Sequence, residues 1–317
     1  MIEWIITHGD SDGICSGALA LAAYKNAKLF FSHPIGLADD LRQVEGDVII
    51  CDIALPAQTL DKVHQELTRI DSSGHKTVYI DHHPFPPNFD PKNFPWDPHH
   101  SVKASAAEQT FSTLQERLTR DYSRVAIYGA IGDYLDRTPK IEEWLMQWDK
   151  RSLYLESGLL IQAIDSMGRN YELKREVARY LANNNLPSQD EKIVNRAISE
   201  AIREEEMRGH IEEVVKVVGK VAYVLDIDWS LSKSAIYSRA QTGALVGIGA
   251  ETRDKYIDMS LRTHSDKLDL NGMVIAITQK IGGSGGGHPM AAGAKVPKEK
   301  FKIFVEELNH WISVALK

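Results

Sequence analysis

Cysteine is nearly absent from this 317-residue sequence, with Cys15 and Cys51 as its only two. Two thiols cannot build a disulfide framework or a four-thiolate zinc site. Both stand in apolar stretches, where small buried thiols are common, so a reducing compartment is the natural setting. A basic surplus is missing too: 37 Lys and Arg face 44 Asp and Glu, a formal charge of −7, which excludes a broad basic coat for nucleic acid. Long apolar runs are also lacking. No stretch approaches the roughly 18 residues of a membrane span, and no Lys or Arg precedes Lys25, so no basic-then-apolar leader is visible. A soluble cytoplasmic protein with no membrane partner is expected.

What the chain does have is an average globular make-up, 43% hydrophobic and 26% charged, and a length that at about 150 residues per domain suggests two domains. The charge is unevenly divided: −9 over residues 1–210 and +2 over 211–317. The first segment alternates strand and helix, the pattern of an α/β fold with a parallel sheet. Strands are expected at Trp4–Thr7, Leu29–Phe31, Val48–Asp52 and Thr77–Asp81, with helices over 16–24 and 57–70. Six prolines between 84 and 98 demand an extended loop. Helices then run to about 209, broken near Pro139 and at Asn183–Pro187. Strands are expected at Val214–Val224, Gly243–Gly249 and Tyr256–Leu261, with helices near 232–241, 270–280 and 298–314. The resulting division is a domain at 1–185, a helical linker at 186–210 carrying the solvated run Glu204-Glu205-Glu206, and a second domain at 211–317.

Chemistry gathers where strands end. His8-x-Asp10-x-Asp12-Gly13 follows the first strand and puts an imidazole and two carboxylates within five residues, a donor set that suits a divalent cation such as Mn²⁺; a solvated turn with Asp10 or Ser11 capping the next helix explains the same residues equally well. Asp52 directly follows the apolar run Val48–Cys51, where a carboxylate is costly unless it is paired, bound to metal or opened to solvent. Asp81-His82-His83 ends another apolar strand; on an extended chain the two imidazoles point to opposite sides. Asp133 stands in Gly129-Ala130-Ile131-Gly132-Asp133, where glycines permit close approach to a helix end. Four carboxylates and two imidazoles match a pair of divalent ions, and such a pair suits phosphoester hydrolysis. In the second domain, the glycine-dense stretch Gly282–Gly287 before His288 reads either as a plain loop or as backbone amides around a phosphate.

These motifs, in this order and together with Gly285-Gly286-Gly287-His288-Pro289-x-Ala291-Ala292-Gly293, resemble the DHH phosphoesterases with a DHH-associated second domain. The resemblance covers nearly the whole chain. It implies an N-terminal parallel-sheet α/β domain joined by a helical linker to a smaller α/β domain, with the active cleft between them. It further implies two Mn²⁺ ions, replaceable by Mg²⁺ or Co²⁺, with His8 and Asp10 on one ion, Asp12, His82 and Asp133 on the other, and Asp52 bridging. His83 then faces substrate, and Asp81 supports the metal-binding loop. Arg262, in Ser260-Leu261-Arg262-Thr263, takes the place of the family's substrate-binding arginine, with Gly285, Gly286, Gly287 and His288 as the phosphate-binding loop. His99-His100 reads as loop before a helix near Ser101, His264 as an exposed loop residue or an added charge for the phosphate grip, and Trp144 and Trp148 as helix packing.

Four activities fit this centre. An exonuclease on single-stranded DNA or RNA, like compact archaeal members and more distantly RecJ, releasing 5′-mononucleotides with a lean to 3′→5′, is favoured. A phosphodiesterase for nano-RNA, cyclic-dinucleotide products or 3′-phosphoadenosine 5′-phosphate is the alternative. A manganese pyrophosphatase is disfavoured, because the basic Ser-Arg-Lys-Lys stretch of those enzymes is replaced here by Gly285–Gly293. An inactive scaffold in a replication or helicase assembly is disfavoured because all six implied ligands are present. A helicase or replication protein stays a candidate partner, and a homodimer is compatible with the sequence.

Overall fold

A computed structural model of the chain describes residues 1–316, which fall into two compact units, Met1–Glu200 and a second beginning at Ala201. The first is built on strands β1 (Ile2–Thr7), β2 (Lys28–Phe31), β3 (Asp47–Cys51), β4 (Thr77–Asp81) and β5 (Asp97–His100), in the order β2-β1-β3-β4-β5 with every pairing parallel. Its helices are α1 (Ser11–Ala23), α2 (Leu37–Leu41), α3 (Leu60–Ser72), α4 (Ala106–Leu114), α5 (Ser123–Gly132), α6 (Pro139–Leu145), α7 (Lys150–Ser166) and α8 (Tyr171–Ala182). Alternation along the strands separates two cores. Ile5, Ile49 and Ile80 face the layer containing α1, α4, α5, α7 and α8. Ile6, Ile50 and Tyr79 face α2 and α3. Because both faces are covered, the central strands read as unbroken apolar runs.

The chain leaves β1 toward β2 on one side and returns to place β3 on the other. The carboxyl ends of β1 and β3 therefore flank the point where winding reverses, the place in open α/β sheets where ligands collect. Helix α1 is buried along nearly its whole length, as an apolar helix packed among neighbours must be. It starts at Ser11, earlier than its Ala/Leu-rich stretch suggests, because Asp10 caps it by accepting from the Gly13 amide at 3.0 Å. Gly129 lets α5 approach: a Cβ there would lie 2.5 Å from Ala107 Cβ and 2.6 Å from Asp12 Oδ1.

The expectations for residues 99–105 need correction. His99 and His100 form part of β5, not a loop, since the strand sits at the sheet edge where Pro98 leaves no hydrogen-bond partner unsatisfied. The α4 N-cap is Ser105, which accepts from the Glu108 amide at 3.1 Å, not Ser101. Trp144 packs edge-on against Phe111 at 5.0 Å, in keeping with the packing reading.

The boundary between the units falls inside α9 (Glu191–Val214), whose Glu204 is more than a solvated charge: it accepts from Tyr237 Oη at 2.5 Å and pairs with Lys233 at 2.8 Å. The second unit holds β6 (Lys216–Val218), β7 (Val221–Leu225), β8 (Val246–Arg253), β9 (Tyr256–Thr263), β10 (Ser284–Gly287) and β11 (Ala291–Pro297), in the order β10-β11-β9-β8-β7-β6. Only β7 and β8 pair in parallel. Helices α10 (Leu231–Thr242), α11 (Leu270–Ile281) and α12 (Phe301–Ala315) complete it. Helix α12 buries Phe301, Phe304, Val305, Leu308 and Ile312, one stripe at helical spacing. The glycine-dense stretch is corrected from loop to edge strand, with Gly285 opposite Ala294 and Gly287 opposite Ala292.

Two helical glycines are expected to respond with opposite signs in thermal unfolding. Gly129→Ala overpacks the α1–α4–α5 junction and should cost about 1–3 kcal/mol. Gly158→Ala on α7, where a Cβ meets nothing within 4 Å, should gain about 0.5–1 kcal/mol. Equal effects would contradict the packing described.

Candidate metal centre

The first unit brings together all six residues that sequence reading places around metal. His8 follows β1, Asp52 follows β3, and Asp81-His82 closes β4, so three neighbouring strands deliver them to one end of the sheet. Asp12 comes from the first turn of α1 and Asp133 from the C-cap of α5. His82 Nε2 is the meeting point, 3.1 Å from Asp133 Oδ2, 3.3 Å from Asp52 Oδ1 and 3.7 Å from Asp12 Oδ2. On the other flank His8 Nδ1 lies 2.8 Å from Asp10 Oδ2. His8, Asp10 and Asp52 have donor atoms within 4.8 Å of one another, and so do Asp12, Asp52 and His82. Asp52 is the member common to both sets.

Each carboxylate is held differently. Asp12 is fully buried and takes the Ala106 amide at 2.7 Å and the Ala107 amide at 2.9 Å, the positive N-terminus of α4. Asp81 is also fully buried; its Oδ1 is 2.9 Å from His83 Nδ1, and its Oδ2 receives the His83 amide at 3.2 Å and lies 2.8 Å from Tyr79 Oη. That amide contact folds the chain into a short turn. The two imidazoles therefore lie edge to face at 4.8 Å and do not point to opposite sides: β4 ends at Asp81, so strand alternation no longer applies. Asp52 is 1% exposed, yet neither of its oxygens accepts a well-formed hydrogen bond. Its backbone sits at φ +56°, a region that costs a residue with a Cβ about 1–2 kcal/mol.

The electrostatics are those of a site awaiting positive charge. Burial, then repulsion from Asp133, pushes the Asp12 carboxyl up to about 7. Burial followed by the charges of Asp10 and Asp12 carries Asp52 well above the carboxylate range. Burial disfavours a charged His82, but hydrogen bonds to Asp133 and Asp52 outweigh it and push the imidazole up to about 12. Asp10 raises His8 above the usual imidazole range. Two like charges 4 Å apart repel by about 4 kcal/mol at an effective dielectric of 20, and total stability is only about 5–15 kcal/mol, so four ionised carboxylates need cations. Hard oxygens with imidazole nitrogens are the donors that divalent ions of this kind accept, and the cluster is suited to divalent metal.

Several supports escaped sequence reading. Lys174 on α8 is 8% exposed and donates to the Gly9 carbonyl at 2.5 Å, beside the His8–Asp10 segment. Nothing in the sequence signals a contact across 165 positions. His100 Nε2 donates to the His83 carbonyl at 2.6 Å, with its ring stacked on Phe85 at 3.9 Å. In the second unit, Arg262 donates to Ser232 Oγ at 2.7 Å and to the Leu261 carbonyl at 2.9 Å. Opposite Arg262 in register stands Ala291, whose carbonyl accepts from the His288 amide at 2.7 Å, so Arg262 and His288 share one end of that sheet. The Gly287 amide is taken by Asn271 Oδ1 at 3.0 Å. His264 is exposed and its Nδ1 accepts from Arg239.

A parallel sheet whose strand ends gather carboxylates and imidazoles fits a metal-dependent phosphoesterase. Residues 4–134 match the DHH family, N-terminal domain, and residues 214–314 match the DHHA1 domain. Together these cover well over half of the chain, which belongs to the DHH phosphoesterase superfamily and is an enzyme of that class. No curated protein matches at the sequence level. Among solved structures, RecJ from Thermus thermophilus in complex with Mn²⁺ has a TM-score of 0.70 at 16% identity, covering 98% of this chain and 52% of RecJ. A DHH domain from a member of the s1p family of ribosomal proteins has a TM-score of 0.67 at 14% identity, covering 98% and 86%. PggH, a pGpG-specific phosphodiesterase from Vibrio cholerae, has a TM-score of 0.60 at 16% identity, covering 99% of both chains. The chain thus spans about half of RecJ and all of PggH. Among the described residues no helix is long and apolar enough to cross a membrane.

A pH series should expose the strained carboxylates. Asp12 titrates near 3.8 when unfolded and near 7 when folded, so its contribution to metal-free stability is full below about 4 and lost as pH climbs through 7. His8 and His82, raised above 6.5, lose theirs in the same direction. The rise in Tm on adding Mn²⁺ or Mg²⁺ is therefore expected to be smallest near pH 4 and to grow through pH 7. A rise that does not change with pH would contradict this assignment.

Proposed function

We propose that this chain is a Mn²⁺-dependent phosphodiesterase that hydrolyses single-stranded DNA or RNA, or short oligonucleotides, from an end, leaning to 3′→5′ and releasing 5′-mononucleotides. The observation that carries the reading is the sharing of buried Asp52 between two donor sets, one with His8 and Asp10 and one with Asp12 and His82. His8 and Asp10 would hold one ion, Asp12, His82 and Asp133 the other, and Asp52 both. When bound, such a pair supplies Lewis-acid activation of water and neutralisation of the phosphoryl oxygens.

The chain's own groups have separable tasks. Asp81 fixes the His83 ring through Nδ1, and His83 would then protonate the departing oxygen or balance the phosphate charge. Arg262 and His288 would grip phosphate, the guanidinium through its planar fork. Amides alternate sides along a strand, so with that of Gly287 turned to Asn271, Gly285 is favoured over Gly286 as the backbone contribution.

A short substrate is the second reading that an observation supports. The DHH fold here spans PggH completely and RecJ by half, and the +2 balance of residues 211–317 suits contact with few phosphates. A dinucleotide or nano-RNA would meet both conditions.

End-labelled DNA and RNA oligonucleotides of two to twenty residues, with 3′-phosphoadenosine 5′-phosphate and pyrophosphate in parallel, test the reading in Mn²⁺. Laddered loss of single nucleotides is expected, fastest on the shortest strands, and hydrolysis of pyrophosphate alone would overturn it. Gly286→Ala isolates the grip: its Cβ would meet only Asn271 Oδ1, at 3.4 Å, so Tm should hold while KM rises several-fold. An unchanged KM would remove β10 from the substrate site.

A further inference from the structure

Helix α5 ends in a way that its sequence does not favour. Asp133 is its C-cap; the next residue, Tyr134, takes φ +58° and donates to the Ile131 carbonyl at 3.2 Å, while Leu135 donates to the Ala130 carbonyl at 2.8 Å. That pair of bonds is the Schellman ending, in which the left-handed position is ordinarily glycine, or sometimes asparagine, because a Cβ there crowds the backbone. A bulky aromatic at this φ is a conformational outlier. Elsewhere in the chain, α10 and α11 end on Gly243 and Gly282 at φ +70° and +84°.

Packing does not compensate. Tyr134 is 76% exposed, among the most exposed large side chains of the first unit, and no ring contact holds it among the described residues. The strain and the exposure coincide one residue from Asp133, whose Oδ2 is 3.1 Å from His82, and neighbouring Cα atoms are only about 3.8 Å apart. An exposed aromatic residue therefore directly follows a member of the carboxylate cluster, on a backbone whose geometry is fixed by two hydrogen bonds.

We infer that Tyr134 is a stacking platform for a nucleobase of the substrate, one nucleotide from the phosphate handled at the Asp52–His82 centre. This rests on the oligonucleotide reading above. A flat ring held on a rigid helix ending can stack on any base without choosing among them, because every base has a π-face. It gives the enzyme a preference for nucleotidyl over plain phosphodiester substrates that the metal centre alone, which sees only phosphate, does not supply.

The test compares the KM for a 5′-labelled RNA dinucleotide with that for the same dinucleotide made abasic at one position and then the other, in Mn²⁺. The unsubstituted enzyme should favour the base-bearing substrate by about tenfold over one of the abasic pair, in line with the loss of one base–aromatic stack. Tyr134→Ala should bring that ratio close to one, and Tyr134→Phe should restore it. Tyr134→Gly should lose the ratio yet raise Tm, since it relieves the left-handed strain; a tyrosine retained for fold alone would not separate the two. If the ratio persists in an active Tyr134→Ala enzyme, the assignment of Tyr134 is overturned. If the unsubstituted enzyme cleaves no oligonucleotide, the substrate reading fails and this inference with it.

Discussion

A carboxylate sealed from water, with His82 Nε2 3.3 Å from its Oδ1 and other carboxylates on either side, is the constraint around which the first unit is organised. Asp52 sits at the end of β3, between the His8–Asp10 pair and the Asp12–His82 pair. Leaving such a group ionised without compensation costs several kcal/mol, a large share of what folding provides. The local structure nevertheless enforces the position: Asp52 adopts a left-handed backbone, and its amide donates to the Ile80 carbonyl at 2.9 Å, tying it to β4. A fold that tolerates this strain, together with the raised carboxyls of Asp12 and Asp52, is one in which bound cations complete the electrostatics. The parallel sheet fixes β1, β3 and β4 side by side; α4 turns its N-terminus on Asp12; Gly129 lets α5 come close enough to bring Asp133 in. Each is a means of holding negative charge together without water.

The second unit solves a different problem. Under the proposed function its sheet would present backbone close to an anion, which side chains would obstruct, and β10 is a glycine edge strand. Gly285 and Gly287 are required by packing: a Cβ at Gly285 would run into Val274 Cγ1, and Gly287 has φ +146° with Ala291 O at 2.5 Å from the same ideal position. A Cβ at Gly286 would meet only Asn271 Oδ1, at 3.4 Å. Similar reasoning applies at Gly247 and Gly249, where a Cβ would strike the carbonyls of Ala235 and Leu231, so that α10 lies against β8 and brings Ser232 to Arg262. The +2 charge of this segment and the −9 of the rest then have physical locations, with the acidity in the unit that gathers the carboxylates.

The architecture was legible where short-range chemistry decides it. Apolar runs of β-branched residues ending on Asp52 and Asp81 announced buried parallel strands, and strand ends of a parallel sheet converge, which brings His8, Asp52 and His82 together, while Asp10, Asp12 and Asp133 arrive from helix ends. The capping reading of Asp10 held, through Oδ1, while its Oδ2 lies beside His8 Nδ1. What stayed hidden depends on tertiary pairing. His99-His100 looked like loop because Pro98 argues against a strand, and only an edge position removes the objection. The glycine stretch looked like loop because glycine has low strand propensity, and pairing with β11 overrode it. Lys174 and the His100 contact to His83 span long separations that no local pattern encodes, and the Tyr134 conformation is visible only once the end of α5 is drawn.

The central claim is that one buried carboxylate joins two cation sites, and electron paramagnetic resonance of the Mn²⁺-loaded protein addresses it directly. Titration should reach two Mn²⁺ per chain with the broadened, many-line spectrum of a spin-coupled pair, and Asp52→Ala should abolish that coupling. One ion per chain, or two giving the simple six-line pattern of isolated Mn²⁺ with or without Asp52, would contradict the account.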